Sequence, residues 1–414
     1  MVNCGIRYGV LQKGRIIFMK KLTHKHTIFA CFVGYISQAI IVNLAPLLFL
    51  TFSKTYDIPL SRITFLITVN FVTQLLTDLL ASRYVQKIGY RKAVLLAHTC
   101  CVVGLVSMAF LPDMIHSFTG LLISTMIYAV GGGLLEVLIS PIVESCPSKN
   151  KAGIMSLLHS FYCWGVVATV LLSTAFFVFV GIEHWRLLSC LFALIPFFNV
   201  FFFSFVPLYP IGEEENDAPN YKKLFSQKVF WLMLIMMVCS GASELAVAQW
   251  ASSFAESALA VDKTTGDLLG ACGFAVTMGI ARVLYAKFSE KIPMKYATMA
   301  CALLCIISYL IIGLSPDPVI ALIGCIICGF SVGIFWPGTF SLATESVKFG
   351  GTTMFALLAL SGDLGCSSGP SVAGLMSSVF SGDLQYGILC AVIFPIILLC
   401  CLFFLKDETK NHHA

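Results

Sequence analysis

A carboxylate stands at Glu136 in the run YAVGGGLLEVLISPIVES, residues 128–145, with no other charge for about two helical turns on either side. A charged group in such a run costs several kcal/mol unless it is paired, hydrated or neutral, so it is a functional candidate by default. The chemistry open to a mid-run carboxyl is proton exchange: loading on one face of a barrier and release on the other. The competing reading is a permanently protonated acid bonded across helices. Glu244, in GASELAVAQW, poses the same question; helical spacing puts Ser240 and Ala248 on its face and brings Gln249 and Trp250 near. An acid, an amide and an indole suit a hydroxyl-rich ligand, and a structural ion pair is the equal alternative.

Asp78 closes a polar stripe at i, i+4, i+8 with Asn70 and Gln74, the pattern of a helix face lining water or another helix. An ion-pair or gating role is favoured over substrate binding for Asp78 and for Arg282. Arg282 is expected against the fifth span near His159, and Asp78 against the eleventh. Asp363, in LSGDLGCSSGPS, sits among small residues that let helices approach closely, which suits gating at an interface. Among the histidines, His159 is the one placed within a span; it could shuttle a proton, or sit neutral and hydrogen-bonded. No other His, Cys or acid falls at metal-ligand spacing around it, so no metal is expected. Trp164, Trp250 and Trp336 lie near Gly, Pro or polar neighbours and are candidate cavity walls. Trp185 fits an interfacial belt, and Trp231 fits it less closely.

The elements that must position these residues follow from composition. The 414 residues are 58% hydrophobic and 11% charged, against about a quarter charged in soluble domains. The solvent is therefore a bilayer. Runs of roughly 20 residues that could cross as helices are read at 27–51, 59–84, 93–112, 117–144, 153–180, 185–207, 228–256, 266–288, 296–314, 318–345, 352–379 and 384–405. Of the 26 Lys and Arg, all but Lys54, Arg62, Arg186 and Lys263 fall on the side of the N-terminus. That bias predicts cytoplasmic N- and C-termini, and it explains the net charge of +5 without nucleic acid. The basic N-terminus lacks the apolar core and cleavage site of a removed signal, so the first span is expected to direct insertion. The 17 cysteines lie mostly inside apolar runs and read as small buried hydrophobes, Cys325 and Cys328 included.

The expected organisation is a basic tail (1–26), a six-helix bundle (27–208), a cytoplasmic linker (209–227), a second six-helix bundle (228–406) and a short tail (407–414). The bundles read as copies. LTDLLASRYVQKIGYR (76–91) sets over IARVLYAKFSEKIPMK (280–295) without a gap, which pairs Asp78 with Arg282 and Arg91 with Lys295. Glu144 and Glu345 close the fourth and tenth spans and are expected to pair with the basic loops. Parallel six-helix repeats about an axis normal to the membrane describe one class of secondary transporter.

At these residues the chain resembles the major facilitator superfamily. SRYVQKIGYRK supplies Ser82, Lys87, Gly89, Arg91 and Lys92 of the signature between the second and third helices, with Gln86 where an Asp is usual. GGGLLEVLISPIV is similar to the fourth helix of the fucose–galactose–glucose:proton symporter branch through Gly131, Gly133, Leu135, Glu136, Ser140 and Pro141. That likeness implies an all-α membrane protein of twelve helices and a proton and sugar pathway through Glu136. It implies a substrate cavity between the halves as well, to which Gln38, Asn43, Glu136, His159, Trp164, Glu244, Gln249, Trp250 and Trp336 are assigned. Proton coupling is assigned to Glu136 and Asp78, and gating to Asp78, Arg282, Asp363, Gly89, Arg91, Glu144 and Glu345. The branch carries an Asp on its first helix; QAIIVNLAPLLF offers only Gln38 and Asn43.

The expected function is proton-coupled symport of a monosaccharide or similar small polar solute across the cell membrane. It would need no cofactor beyond a proton gradient, and a monomer suffices. No phosphate-cradling loop, nucleophile elbow or metal-binding helix is present, so an enzyme is not expected. A proton-driven multidrug exporter on the same fold is the alternative. A membrane receptor would need a signalling domain the sequence lacks.

Overall fold

Backbone polar groups in lipid must be satisfied within the segment, which restricts spanning elements to helices or closed barrels. The computed structural model describes residues 22–58, 60–210, 221–249, 251, 267–348, 350–380 and 384–405, and no strand occurs among them. The α-helices are α1 (His24–Leu47), α2 (Phe49–Tyr56), α3 (Leu60–Ile88), α4 (Tyr90–Met114), α5 (Ser117–Ser145), α6 (Lys151–Phe179), α7 (Trp185–Phe205) and α8 (Tyr221–Phe225). They continue as α9 (Lys228–Ala248), α10 (Gly273–Phe288), α11 (Met294–Leu314), α12 (Pro318–Val332), α13 (Phe335–Ser346), α14 (Gly351–Val379), α15 (Leu384–Cys390) and α16 (Ile393–Phe404).

Helical segments lie at each of the twelve expected positions. Among the described residues, ten stretches are long and apolar enough to cross a membrane. The helices of the second and eleventh positions, α3 and α14, run 29 residues each, about 44 Å at 1.5 Å per residue. Asn70, Gln74, Asp78 and Ser82 lie along the first of these, and Ser361, Asp363 and Ser367 along the second. The first, tenth and twelfth positions are each broken into two helices. Beyond Ala248 the seventh span was expected to reach residue 256; Trp250 and residues 252–266 lie outside the described residues.

By packing, the chain forms two compact units, Met1–Lys149 with Thr169–Asn216, and Asn150–Ala168 with Asp217–Ala414. The second break falls within the expected linker. The first divides α6, whose N-terminal part is counted with the second unit. The reason is local: Ser156 Oγ donates to Arg282 O at 2.8 Å, and Trp164 lies against Gly279, both on α10.

Within the first unit, a polar clamp ties three helix ends. Arg186 grips Asp113 in a fork, Nε to Oδ2 at 3.0 Å and Nη2 to Oδ1 at 2.9 Å, and Nη2 also reaches Tyr56 Oη at 2.9 Å. Tyr56 Oη donates to Asp113 Oδ1 at 2.9 Å. Burial first, and the bond to Asp113 second, push the Tyr56 phenol up to about 12, so it keeps its proton. Trp185, expected at an interface belt, is instead 1% exposed. Its ring packs edge-on to Phe52 at 5.1 Å and lies 4.7 Å under the Arg186 guanidinium. Trp231, read as fitting that belt less closely, is 51% exposed.

His159 is not the sole histidine in a span. His98, on α4, is fully buried: its Nδ1 bonds Val94 O at 2.8 Å, and Asn199 Nδ2 meets its Nε2 at 2.8 Å. Asn199 Nδ2 also donates to Ala30 O at 3.0 Å, so one amide joins α1, α4 and α7.

In the second unit α9 and α14 touch backbone to backbone. A Cβ at Gly365 would strike the Val238 carbonyl oxygen, and one at Gly369 the Ala242 carbonyl oxygen. Backbone cannot yield as a side chain can, so overpacking there costs about 1–3 kcal/mol. A Cβ at Gly273 meets only Ile326 at 3.4 Å. Gly365→Ala should therefore lower the thermal midpoint in detergent while Gly273→Ala leaves it within error; equal midpoints would contradict this packing.

Candidate functional site

Each unit carries one polar pole, built by different means. In the first unit α5 is wedged between two neighbours, which explains its three consecutive glycines. A Cβ at Gly131 would press on Ala97 O and Cys101 of α4, and one at Gly132 on Gln74 Nε2 of α3 at 2.8 Å. At Gly133 it would meet Thr77 Cβ at 3.0 Å and Asp78 Oδ1 at 3.1 Å. The glycines thus bring the polar stripe of α3 onto α5. Asn70, Gln74 and Asp78 are all buried, and Asn70 Nδ2 donates to Gln74 Oε1 at 3.2 Å.

One turn beyond Gly133, Glu136 Oε2 accepts a hydrogen bond from Gln38 Nε2 of α1 at 3.0 Å. Gln38 is 5% exposed, and its Oε1 has no hydrogen-bond partner. A second rung joins the same helices a turn away, where Tyr35 Oη and Ser140 Oγ are 2.9 Å apart. Both rungs were missed in the sequence, although Gln38 and Glu136 were each singled out. Asn43, expected in the cavity, spends its Nδ2 on Ala39 O of its own helix at 2.8 Å.

The pole of the second unit centres on Arg282, 3% exposed on α10. Its Nε donates to Gly333 O at 2.5 Å, and its Nη1 to His159 O at 2.9 Å and Cys163 Sγ at 2.9 Å. Its Nη2 faces Glu244 Oε2 of α9 at 3.6 Å. The expected placement near His159 holds, but through that residue's backbone carbonyl. Cys163 was not anticipated; its i+4 spacing from His159 was the available signal. Gly333 is the residue at which the tenth span breaks, after α12 and before α13. A carbonyl released by that break is the natural acceptor for a side chain entering the helix ladder.

An aromatic wall adjoins this pole. The His159 ring lies 5.8 Å from Phe340, which stacks on Phe355 at 5.3 Å and tilts toward Trp336 at 6.2 Å. Trp336 rests on Gly362, beside Asp363 in α14. Trp164 is 36% exposed, its ring against Gly279. Gln249 is exposed at the end of α9, away from Glu244's enclosed face, and Trp250 lies outside the described residues.

The remaining gating candidates lie at helix ends. Gly89 takes φ +87° at the start of α4, a backbone that favours glycine. Arg91, two residues on, donates Nη1 to Phe203 O at 2.6 Å and Nη2 to Val206 O at 2.9 Å, capping α7. Its counterpart Lys295 donates Nζ to Leu405 O at 2.6 Å, capping α16. Glu144 and Glu345 close α5 and α13 as expected.

The comparisons agree with this architecture. The model of the Major Facilitator Superfamily matches residues 27–370. No curated protein matches the chain by sequence. Among solved structures, a variant of the E. coli fucose:proton symporter FucP aligns at 14% identity with a TM-score of 0.76, covering 92% of this chain and 98% of that one. The proton:xylose symporter XylE aligns at 12% identity and TM-score 0.80 over 94% and 96% of the two chains. The human organic anion transporter MFSD10 aligns at 17% identity and TM-score 0.71 over 92% and 99%.

Removing one partner of a buried ion pair strands the other, at about 3–5 kcal/mol. Arg282→Met would strand Glu244 and two backbone carbonyls, whereas Glu244→Gln leaves Arg282 its other acceptors. Thermal unfolding should show the larger loss for Arg282→Met, with the double variant less destabilised than the sum. Strict additivity would mean that the two side chains do not interact.

Proposed function

The chain belongs to the Major Facilitator Superfamily and is a transporter rather than an enzyme, and from that premise we propose proton-coupled symport of a monosaccharide or similar small polar solute. The observation that carries this reading is the Gln38–Glu136 hydrogen bond. A carboxamide serves a carboxyl in either protonation state: its N–H donates to the carboxylate, and its oxygen accepts from the acid. The unpartnered Gln38 Oε1 supplies the second option within the same pair. Glu136 is accordingly the residue that loads and releases the proton, and Gln38 takes the place of the first-helix acid found in the fucose permease branch.

Glu244 has a different office. It faces the Arg282 guanidinium, and its part is to pair α9 with α10 rather than to carry the proton. Asp78, enclosed at the α3–α5 contact, is assigned to coupling and gating alongside Glu136. The capped ends at Arg91 and Lys295 belong to a symmetric pair of six-helix bundles, twelve spanning helices in all, with both termini cytoplasmic and the cell membrane as location. A monomer is sufficient for this scheme. The sugar:proton symporters among the structural neighbours support a sugar-like solute. One observation favours a second reading: the wall of Trp336, Phe340 and Phe355 suits a greasier solute, as a proton-driven exporter would carry.

Proteoliposomes challenged with a monosaccharide panel decide between them. Sugar should evoke alkalinisation outside vesicles bearing wild type, and Glu136→Gln should abolish it while labelled-sugar exchange continues. Proton movement driven by lipophilic cations and by no sugar would replace symport with export.

A further inference from the structure

Three basic segments of the second unit meet around the amide of Gln227, immediately before α9. Gln227 Nε2 donates to Lys348 O at 2.8 Å and to Lys223 O at 3.3 Å, while Lys348 N donates back to Gln227 Oε1 at 3.0 Å. Short α8, which bears Lys222 and Lys223, is thereby fixed beside Lys228 at the head of α9 and Lys348 after α13. All four lysines are exposed. Against them these three segments carry one carboxylate, Glu345.

This basic corner stands on an aromatic base. Leu224 is 2% exposed, and the Phe225 ring lies 5.4 Å from buried Phe230 and 5.3 Å from Trp231. The Trp231 N–H is already spent on Phe225 O at 2.9 Å, yet the indole remains 51% exposed. What Trp231 offers its surroundings is therefore an apolar ring face, three residues after Lys228 in a membrane-length helix. An indole at the headgroup level with ammonium groups above it matches a lipid that is apolar in its chain and negative in its phosphate.

We propose that the Lys222–Lys228–Lys348 corner binds the headgroup of an anionic phospholipid, whose acyl chain lies along Trp231. Free phosphate would use the lysines but has no need of the exposed ring. Each lysine near the membrane surface adds on the order of fivefold to the preference for anionic lipid. The acidic run Glu213–Glu215 of the same chain is the competitor that the test must exclude.

The test uses the full chain in phosphatidylcholine nanodiscs carrying brominated phosphatidylglycerol or, at equal fraction, brominated phosphatidylcholine. Quenching of the Trp231 signal, isolated by difference from Trp231→Phe, should be at least about twofold stronger with the anionic lipid. The Lys222→Gln/Lys228→Gln/Lys348→Gln variant should quench equally with both lipids. Equal quenching in the wild type, or an unchanged preference in the triple variant, overturns the proposal. So does displacement by inorganic phosphate at matched ionic strength, which would make this a phosphate site. A rise in anionic quenching in Glu213→Gln/Glu214→Gln/Glu215→Gln would show the acidic run seated on the corner instead. Because the readout is lipid contact, it stands or falls independently of which solute is transported.

Discussion

Arg282 brings a permanent positive charge to a site 3% exposed within membrane-length helices, and the packing of the second unit is arranged around its needs. A guanidinium presents five N–H donors in a fixed plane and cannot shed its charge. Each direction of that plane is answered from a different element: Gly333 O at the α12–α13 break, His159 O and Cys163 Sγ on α6, and Glu244 on α9. The broken tenth span supplies one of these acceptors, and the first part of α6 supplies two. A helix without the break would not offer the Gly333 carbonyl, and an α6 placed elsewhere would leave Nη1 without acceptors.

The equivalent position in the first unit is Asp78, and the local geometry repeats around the opposite charge. Gly133 lies over Gln74 O and Thr77, while Gly333 lies over Met278 O and Ala281. The gapless alignment of 76–91 on 280–295, extended upstream, pairs Gln74 with Met278 and Thr77 with Ala281. Arg91 and Lys295 then cap the last helix of their respective units. Close contacts and caps obey the repeat although few residues are identical. Backbone approach and helix-end carbonyls constrain sequence only to small or basic residues, whereas the side chain at 78 and 282 was free to diverge in charge.

The helices were legible because burial in lipid demands long apolar runs, and the isolated acids stood out because nothing around them is polar. Partners were less legible. Gln38 and Glu136 are 98 residues apart, and neither periodicity nor spacing states which helices adjoin. Trp185 was misplaced because a tryptophan at a span end can face lipid or turn inward; the Phe52 edge and the Arg186 charge draw it in. His98 was passed over because it lies early in its span, near the basic loop, where a histidine ordinarily meets water. The breaks at Leu48 and Gly333 leave only glycine and proline as marks, and such residues are equally common in unbroken membrane helices.

The two acidic centres differ in what their partners permit. A guanidinium favours one protonation state of a neighbouring carboxyl, since protonating the acid would leave the cation buried without its counter-charge. A carboxamide imposes no such preference, because it bonds acid and anion through opposite ends. Glu244 and Glu136 are both acids within apolar helices, yet one is bound to a fixed cation and the other to a neutral, two-faced amide. Under the proposed proton-coupled cycle, the second arrangement leaves the carboxyl reversible while the first holds the helix packing. On that proposal Gln38 keeps a hydrogen bond to Glu136 without setting a second carboxyl beside it, so that one carboxyl on this helix pair would suffice for the cycle.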